Sequence, residues 1–197
     1  MFKIICVTDR KSCKEDFLTR IEKIASAKPD RIIYREKDIP EKDYRQTAKK
    51  IGTICSKYNV PFSSYLFEDT EYDIHMLWLW LERLGRPDTK KIVGVSVHSV
   101  DEAVEYEQKG IDYVTAGHIF ETSCKPDLAP RGLEFLKHVC ESVKIPVYAI
   151  GGINPQNISQ VVRAGAGGAC VMSGFMTCEN PVEYIKNLRK GAEISEI

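Results

Sequence analysis

The sequence predicts a single α/β domain, a (β/α)8 TIM barrel of minimal size with a shortened third helix. Short runs rich in β-branched residues alternate with longer stretches of helical period from one end of the chain to the other. The runs are almost continuously apolar, which is typical of parallel strands covered by helices. Such barrels typically contain ~250 residues, so a barrel of this length would be a small one. We expect one compact barrel domain spanning residues 1–197.

Eight candidate strands follow one another along the chain. Two of them, FSSYL (62–66) and DIHML (73–77), have a weaker pattern than the rest. The link between these two is too short for a full helix, so we expect the third helix to be reduced to a turn. The six clear strands are KIICV (3–7), RIIY (31–34), KIVGVSV (91–97), DYVTAG (112–117), PVYAIGG (146–152) and ACVMSG (169–174).

Helices are predicted between the strands by apolar residues that recur at spacings of three and four. Three helix starts carry capping signals. Ser99 to Glu102 have the form of a capping box, and Asn154–Pro155 and Asn180–Pro181 each place a proline after an N-cap residue. The apolar helix faces contain Phe17, Ile21 and Ile24 or Ala25, then Tyr44, Ala48, Ile51, Cys55 and Tyr58, and later Leu133, Leu136, Cys140 and Val143.

Composition narrows the class of partner. The 28 basic and 28 acidic residues balance, and no run of Lys or Arg suggests nucleic acid or a membrane surface as partner. The seven cysteines show neither a C-x-x-C pair nor zinc-site spacing, which favours a reduced protein. The apolar run at the N-terminus is too short for a signal peptide. We expect a cytoplasmic protein that acts on a small molecule.

The pocket is predicted at the carboxyl ends of the strands, where (β/α)8 barrels carry their active sites. The loops at Gly151–Gly152 and Ser173–Gly174 often bind phosphate in this fold, because bare backbone amides can approach an anion closely. Tight turns are the alternative reason for these glycines. The other residues expected to bind the substrate are Arg35, Lys37, Thr122, Ser123, Cys124, Lys125 and Met172.

His118 is the candidate general acid and base, because imidazole can take and return a proton near neutral pH. A structural histidine is the alternative, and it is the interpretation we prefer for His75 and His98. The charged run from Arg35 to Lys37 follows an apolar strand directly. It predicts either a salt bridge at the rim or a clamp for an anion.

Seven motifs in register resemble the thiamine phosphate synthase/TenI superfamily of small barrels, over essentially the whole chain. The resemblance implies the barrel fold and a phosphorylated thiazole as ligand. The motifs are VTDR (7–10), YREKD (34–38), VGVSVHS (93–99), DYVTAGHIFETSCK (112–125), RGL (131–133), PVYAIGGI (146–153) and GACVMSG (168–174).

The loop that begins at Gly117 is similar to the TenI branch, whose pattern GHxFxTxCK replaces the GPIFPTxTK of the synthases. The resemblance therefore implies a thiazole tautomerase, an isomerase in which His118 shuttles a proton and no metal is needed. Synthases also carry an Asn-Asp pair at the end of the third strand. Counting from Pro61, this chain has Tyr65 and Leu66 at those two positions. Their second magnesium aspartate has no counterpart in HMLWLWLE, although Glu68 and Asp69 lie close to the first position.

Two other functions stay open at this stage. One is a thiamine phosphate synthase, which would join pyrimidine pyrophosphate to thiazole phosphate and would need Mg²⁺. The other is a barrel that binds thiazole or thiamine phosphate without catalysis. A homo-oligomer is also possible, since Trp78 and Trp80 lie two residues apart and could mark a subunit contact, although we expect that one packs inside and the other is partly exposed.

Overall fold

Eight parallel strands close into a barrel in chain order, which confirms the predicted fold class. The computed structural model describes residues 1–65, 71–76 and 78–193. Strands β1 and β8 close the barrel by pairing Lys3 with Gly168 and Cys6 with Val171. The strands are β1 (Lys3–Val7), β2 (Arg31–Tyr34), β3 (Phe62–Tyr65), β4 (Asp73–Met76), β5 (Val93–Val97), β6 (Tyr113–Gly117), β7 (Val147–Ile150) and β8 (Gly168–Val171).

Helices surround this barrel and cover the outward faces of the strands. A short 3₁₀ turn at Arg10–Ser12 follows β1. The described α-helices are α1 (Phe17–Ser26), α2 (Glu41–Tyr58), α3 (Trp78–Leu84), α4 (Val100–Gln108), α5 (Gly132–Ser142), α6 (Ile158–Arg163), α7 (Ser173–Thr177) and α8 (Pro181–Ala192). The turn predicted between β3 and β4 falls mainly on residues 66–70, which lie outside the described residues.

Side chains alternate between two environments along each strand. On β2, Ile32 and Tyr34 pack outward into the core between barrel and helices, whereas Ile33 faces the barrel interior with Ile5 and Cys170. The alternation also continues past the end of β2, so that every second residue after Ile33 lies on the inward side.

The interior is polar where β2 to β6 meet, at the end of the barrel opposite the pocket. Arg31 Nη1 donates to Ser63 Oγ at 2.6 Å and to Asp73 Oδ2 at 2.7 Å. The Arg31 guanidinium also lies over the ring of Tyr113, 5.9 Å from its centroid. This buried network gives the charged side chain three partners, as burial of a charge requires.

Two of the three predicted helix starts are confirmed. The Ser99 hydroxyl accepts from the Glu102 amide at 3.1 Å, and the Asn180 side chain accepts from the amides of Val182 and Glu183. The carboxylate of Glu102 accepts from the amide of His98 rather than from that of Ser99.

The predicted start at Asn154–Pro155 is wrong by three residues, since α6 begins at Ile158. The Asn157 side chain accepts from the Asn154 amide at 2.9 Å, and the Asn154 side chain accepts from the Gln156 amide at 2.9 Å. These bonds fix a turn before the helix, because asparagine side chains compete with helical backbone bonds.

The predicted strand 169–174 is also shorter than expected, because it ends at Val171 and Ser173 opens α7. Trp78 and Trp80 are 38% and 36% exposed, so the expectation that one of them packs inside is wrong. Leu81 is the α3 residue that packs into the core. No helix in the described parts of the chain is both long and apolar enough to cross a membrane.

Candidate active site

A cavity of about 570 Å³ opens at the carboxyl ends of the strands, where the fold predicts the site. Its size suits small-molecule ligands, whose pockets have volumes of about 300–1,000 Å³. Gly174 is the one predicted site residue that does not line it. The predicted residues that do line it are Arg35, Lys37, His118, Thr122, Ser123, Cys124, Lys125, Gly151, Gly152, Met172 and Ser173.

Three cations converge on this cavity from two sides of the barrel. Arg35 and Lys37 follow β2, and Lys125 reaches in from the loop between β6 and α5. Burial, followed by repulsion from Arg35, lowers the pKa of both lysines below their usual 10.5. Among the described residues, no carboxylate lies within ion-pair distance of any of the three. As far as the described residues show, the cluster therefore presents positive charge without an ion-pair partner to a ligand.

Glu36 is separate from this cluster. Of the two alternatives for the charged run, Glu36 takes the salt bridge, with Arg10 Nε 3.7 Å from its Oε2. The Glu36 carboxylate is buried and accepts from the Thr8 hydroxyl at 3.1 Å and the Arg10 amide at 2.9 Å. Burial raises its pKa, and these two hydrogen bonds oppose the rise. Strand parity accounts for the separation, since Arg35 and Lys37 continue the inward row of Ile33 and Glu36 continues the outward one.

His118 anchors the loop between β6 and α5. Its Nε2 donates to the carbonyl oxygen of Leu128 at 3.1 Å, and its own carbonyl accepts from the Arg131 amide at 2.9 Å. The side chain is buried, with 6% of its surface exposed. Because a carbonyl oxygen can only accept, Nε2 carries a hydrogen and donates it to Leu128, so this nitrogen is engaged in a structural bond. The ring thereby ties both ends of the Thr122–Lys125 segment.

Gly151 and Gly152 allow the β7 loop to lie directly against this β6 loop. Gly151 has a φ of +104°, and a Cβ there would lie 2.2 Å from the Cβ of His118. The Gly151 carbonyl accepts from the amide of Phe120 at 3.1 Å. Close approach of two backbones is therefore a reason for these glycines that neither of the sequence-based explanations included.

Gly174 has a packing role. It lies in the first turn of α7, and a Cβ on it would lie 1.9 Å from the Oη of Tyr184. The neighbouring Ser173 lines the cavity, as does Met172. Short helices after β8 often take part in phosphate binding in this fold.

The floor of the pocket is a chain of hydrogen bonds that sequence reasoning missed. The Tyr113 hydroxyl contacts His75 Nδ1 at 3.0 Å, and His75 Nε2 contacts Ser96 Oγ at 3.1 Å. Ser96 Oγ is in turn 2.9 Å from Thr115 Oγ1. Burial, together with Arg35 and Arg31, lowers the pKa of His75 to about 3, so its ring is neutral. His75 is packed, as expected, and it holds the Ser96 hydroxyl, which lines the cavity together with Thr115.

His98 was also expected to be packed, and this is wrong. Its ring lines the cavity, and its Nδ1 lies 3.6 Å from Glu102 Oε2. Burial lowers the pKa of His98, while Glu102 opposes that shift. The ring thus adds a titratable group to the rim beside Lys125.

One wall of the cavity is aromatic. Tyr65, Met76 and Trp78 line it from the ends of β3 and β4. The Tyr65 ring stacks on that of His75, with centroids 5.7 Å apart and planes at 17°. Position after a barrel strand could have identified these residues, but their apolar character gave no chemical reason to select them.

Magnesium would need hard oxygen ligands, and the described residues of the pocket do not supply them. Asp9 is the single carboxylate among the described lining residues, and it already accepts from the Ser12 hydroxyl. No group of three or more His, Cys, Asp or Glu side chains in the described ranges could hold a metal ion. The oxygen donors of the described lining residues therefore do not fit Mg²⁺. Glu68 and Asp69 lie outside the described ranges.

Comparison with known proteins decides the family. The profile of the family described as thiamine monophosphate synthase matches residues 4–63 and 83–175. The chain belongs to this family. The internal stretch that the profile leaves unmatched, residues 64–82, contains HMLWLWLE, in which the second magnesium aspartate of the synthases has no counterpart. The predicted superfamily is thereby confirmed.

The relatives agree with one another in name. A thiamine-phosphate synthase of Clostridium acetobutylicum is 35% identical over 90% of this chain and 89% of its own length. Another, of Caldivirga maquilingensis, is 37% identical over 81% of both chains. The solved structure of a thiamine phosphate pyrophosphorylase from Pyrococcus furiosus is 29% identical, has a TM-score of 0.80, and covers 97% of this chain and 95% of its own.

These relatives overturn the predicted tautomerase, and with it the expected isomerase class. That prediction relied on His118 and Cys124 in one loop and on the absence of the two magnesium aspartates from the expected positions, whereas the likeness to synthases extends over nearly the whole chain. His118 holds the loop by its Nε2 bond, and Cys124 is exposed at the loop surface. The proton-shuttle role of His118 was specific to the tautomerase reaction and loses its basis. The coarser prediction, an enzyme of thiamine biosynthesis, is confirmed.

Proposed function

We propose that this chain is a thiamine phosphate synthase, which joins a pyrimidine pyrophosphate to a thiazole phosphate and releases pyrophosphate. The names of its relatives support this reaction. The structural observation that carries it is the cluster of Arg35, Lys37 and Lys125 in the pocket, for which the described residues supply no ion-pair partner. A substrate with a pyrophosphate group brings the negative charge that such a cluster lacks.

The cation cluster would bind the pyrophosphate and stabilise it as it leaves. In this transfer the bond from the pyrimidine to pyrophosphate breaks, and the bond from the pyrimidine to the thiazole forms. Negative charge accumulates on the departing oxygens, so fixed positive groups beside them lower the barrier. Arg35 offers a planar fork of donors that matches phosphate oxygens.

The thiazole phosphate would occupy the part of the cavity formed by the loops after β7 and β8. Gly151, Gly152 and Ser173 line it on these loops, which often bind phosphate in this fold, and Thr122 and Ser123 add hydroxyl donors from the β6–α5 loop. Two anion-binding subsites in one cavity would hold both substrates with their reacting ends together. Such positioning converts a reaction between two molecules into one within a complex.

A product assay tests the proposal. Purified protein is mixed with pyrimidine pyrophosphate and thiazole phosphate, and thiamine phosphate is quantified by chromatography. We expect product from wild type and a strong loss in Lys37→Met, with Lys49→Met as the control because Lys49 is exposed on α2, outside the cavity. Absence of product, with and without Mg²⁺, would contradict the proposal, and binding of both substrates without turnover would favour the binding-only barrel.

A further inference from the structure

Tyr65, Met76 and Trp78 form a wall of the cavity that offers aromatic and thioether groups in place of carboxylate metal ligands. Tyr65 ends β3, Met76 ends β4 and Trp78 begins α3. Burial raises the pKa of the Tyr65 phenol, so at neutral pH it is uncharged and a weak ligand for Mg²⁺. Counter-charge for a pyrophosphate must then come from the cations themselves, as far as the described residues extend.

The charges of that cluster suffice for such an anion. Arg35, Lys37 and Lys125 carry three positive charges, and pyrophosphate near neutral pH carries roughly three negative ones. The three cations repel one another, because Arg35 helps to lower the pKa of each lysine. An anion between them relieves this repulsion, so the site is arranged for its ligand before the ligand arrives.

Tyr65 supports two of these cations. The Arg35 Cζ and the Lys37 Nζ each lie 5.7 Å from the centroid of the Tyr65 ring. This is within the range of a cation–π contact. The ring is itself held by its stack on His75, and the backbone that carries it donates from the Tyr65 amide to the hydroxyl of Tyr44. The platform under the cations is therefore fixed.

We propose that this chain binds the pyrophosphate group without a metal ion, on Arg35, Lys37 and Lys125, and that the Tyr65 ring positions the first two. The identity of the natural ligand rests on the proposed function. The binding mode does not depend on turnover and can be measured alone. Tyr65 is a positioning residue in this scheme, since it acts through the cations.

Titration calorimetry with inorganic pyrophosphate tests metal independence. We expect wild-type protein to bind pyrophosphate in the presence of a chelator, and excess Mg²⁺ to leave the dissociation constant the same or raise it, because free Mg²⁺ competes for the ligand. Binding that requires Mg²⁺, or that Mg²⁺ tightens more than about tenfold, would overturn the proposal. Glu68→Gln and Asp69→Asn should leave chelator-resistant binding unchanged, and its loss in either would also overturn it.

Ring variants test the role of Tyr65. Tyr65→Leu should weaken pyrophosphate binding about tenfold or more, because two cation–π contacts are lost together. Tyr65→Phe keeps the ring and should bind within about threefold of wild type. Tyr58→Leu is the matched control, since Lys57 lies over the Tyr58 ring at 5.1 Å and outside the cavity. Equal binding by Tyr65→Leu, or failure of Tyr65→Phe to retain binding, would refute the positioning role.

The two proposals fail in different ways. Metal-free pyrophosphate binding without thiamine phosphate formation would refute the synthase and support the binding mode. Product that forms only with Mg²⁺, in a protein whose pyrophosphate binding also needs Mg²⁺, would support the synthase and refute the binding mode. Thermal unfolding of each variant shows whether it is folded before binding is compared.

Discussion

Lys125→Met isolates one charge of the anion site while preserving the length of the side chain. Lys125 lies on the β6–α5 loop, and its ammonium faces Arg35 across the cavity. A hydrogen bond to a charged group contributes about 1.5–3 kcal/mol, which corresponds to about 10-fold to 150-fold in affinity. We expect the KM for pyrimidine pyrophosphate to rise by this factor, with a smaller change in the KM for thiazole phosphate.

The same substitution should change the pH dependence of binding. Burial, Arg35 and Lys125, in that order, lower the pKa of Lys37 below 10.5. Binding needs charged Lys37, so in wild type it should weaken with rising pH earlier than an ordinary lysine would allow. Removal of Lys125 takes away one cause of that lowering. The alkaline decline in 1/KM should therefore move to higher pH in the variant.

Steady-state kinetics from pH 7 to pH 10 measure both effects. Lys186→Met is the control, since Lys186 is exposed on α8. An unchanged KM in Lys125→Met would refute the reasoning about the anion site. An alkaline decline that moves to lower pH would refute the assigned cause of the Lys37 pKa.

Three further outcomes follow from the structure. His118→Ala should raise the KM of both substrates more than it lowers kcat, and His118→Gln should partly restore them in kinetic assays, since its amide can donate to the Leu128 carbonyl. Gly174→Ala should lower the unfolding free energy by about 1–3 kcal/mol in denaturant titration, because its Cβ would overlap Tyr184; unchanged stability would contradict the packing role. Because burial raises the pKa of Glu36, the folded state favours the protonated carboxyl. The stabilisation from this protonation is full below pH 4.5 and is lost as pH rises through the folded pKa. The stability of Glu36→Gln relative to wild type should therefore increase over that range in pH-dependent unfolding, and a decrease would contradict the sign.

The strands were predictable where both faces are buried. β1 and β2 have the predicted bounds, because their apolar runs end sharply at polar residues. The start of α6 was not predictable, because the Asn154 and Asn157 side chains form a turn before the helix. The rule that looks for an N-cap residue followed by a proline does not account for such a turn. Helix starts set by competing side-chain bonds need coordinates.

The site was predictable to the level of loops. The rule that places active sites at the carboxyl ends of barrel strands located the cavity. All of the predicted site residues except Gly174 line it. Strand parity could also have separated Glu36 from Arg35, since period-two alternation was already used for the strands. The contacts of Tyr65 with Arg35 and of His75 with Tyr113 and Ser96 join different strands, and their pairing depends on barrel register.

The function was mispredicted for a related reason. One loop, with its histidine and cysteine, was given more weight than the whole chain. The side chain of His118 can serve to hold a loop as well as to carry a proton, and sequence alone does not distinguish these uses. Hydrogen bonding to Leu128 and the extent of the match to synthases were both needed.

The stoichiometry of the reaction distinguishes a thiamine phosphate synthase from an enzyme that only hydrolyses the pyrophosphate. Pyrimidine pyrophosphate and thiazole phosphate are incubated with wild-type protein, and released pyrophosphate and thiamine phosphate are quantified in the same samples. We expect the two products to accumulate in a one-to-one ratio and omission of thiazole phosphate to abolish both. Release of pyrophosphate without thiamine phosphate, or no release at all, would contradict the proposed function.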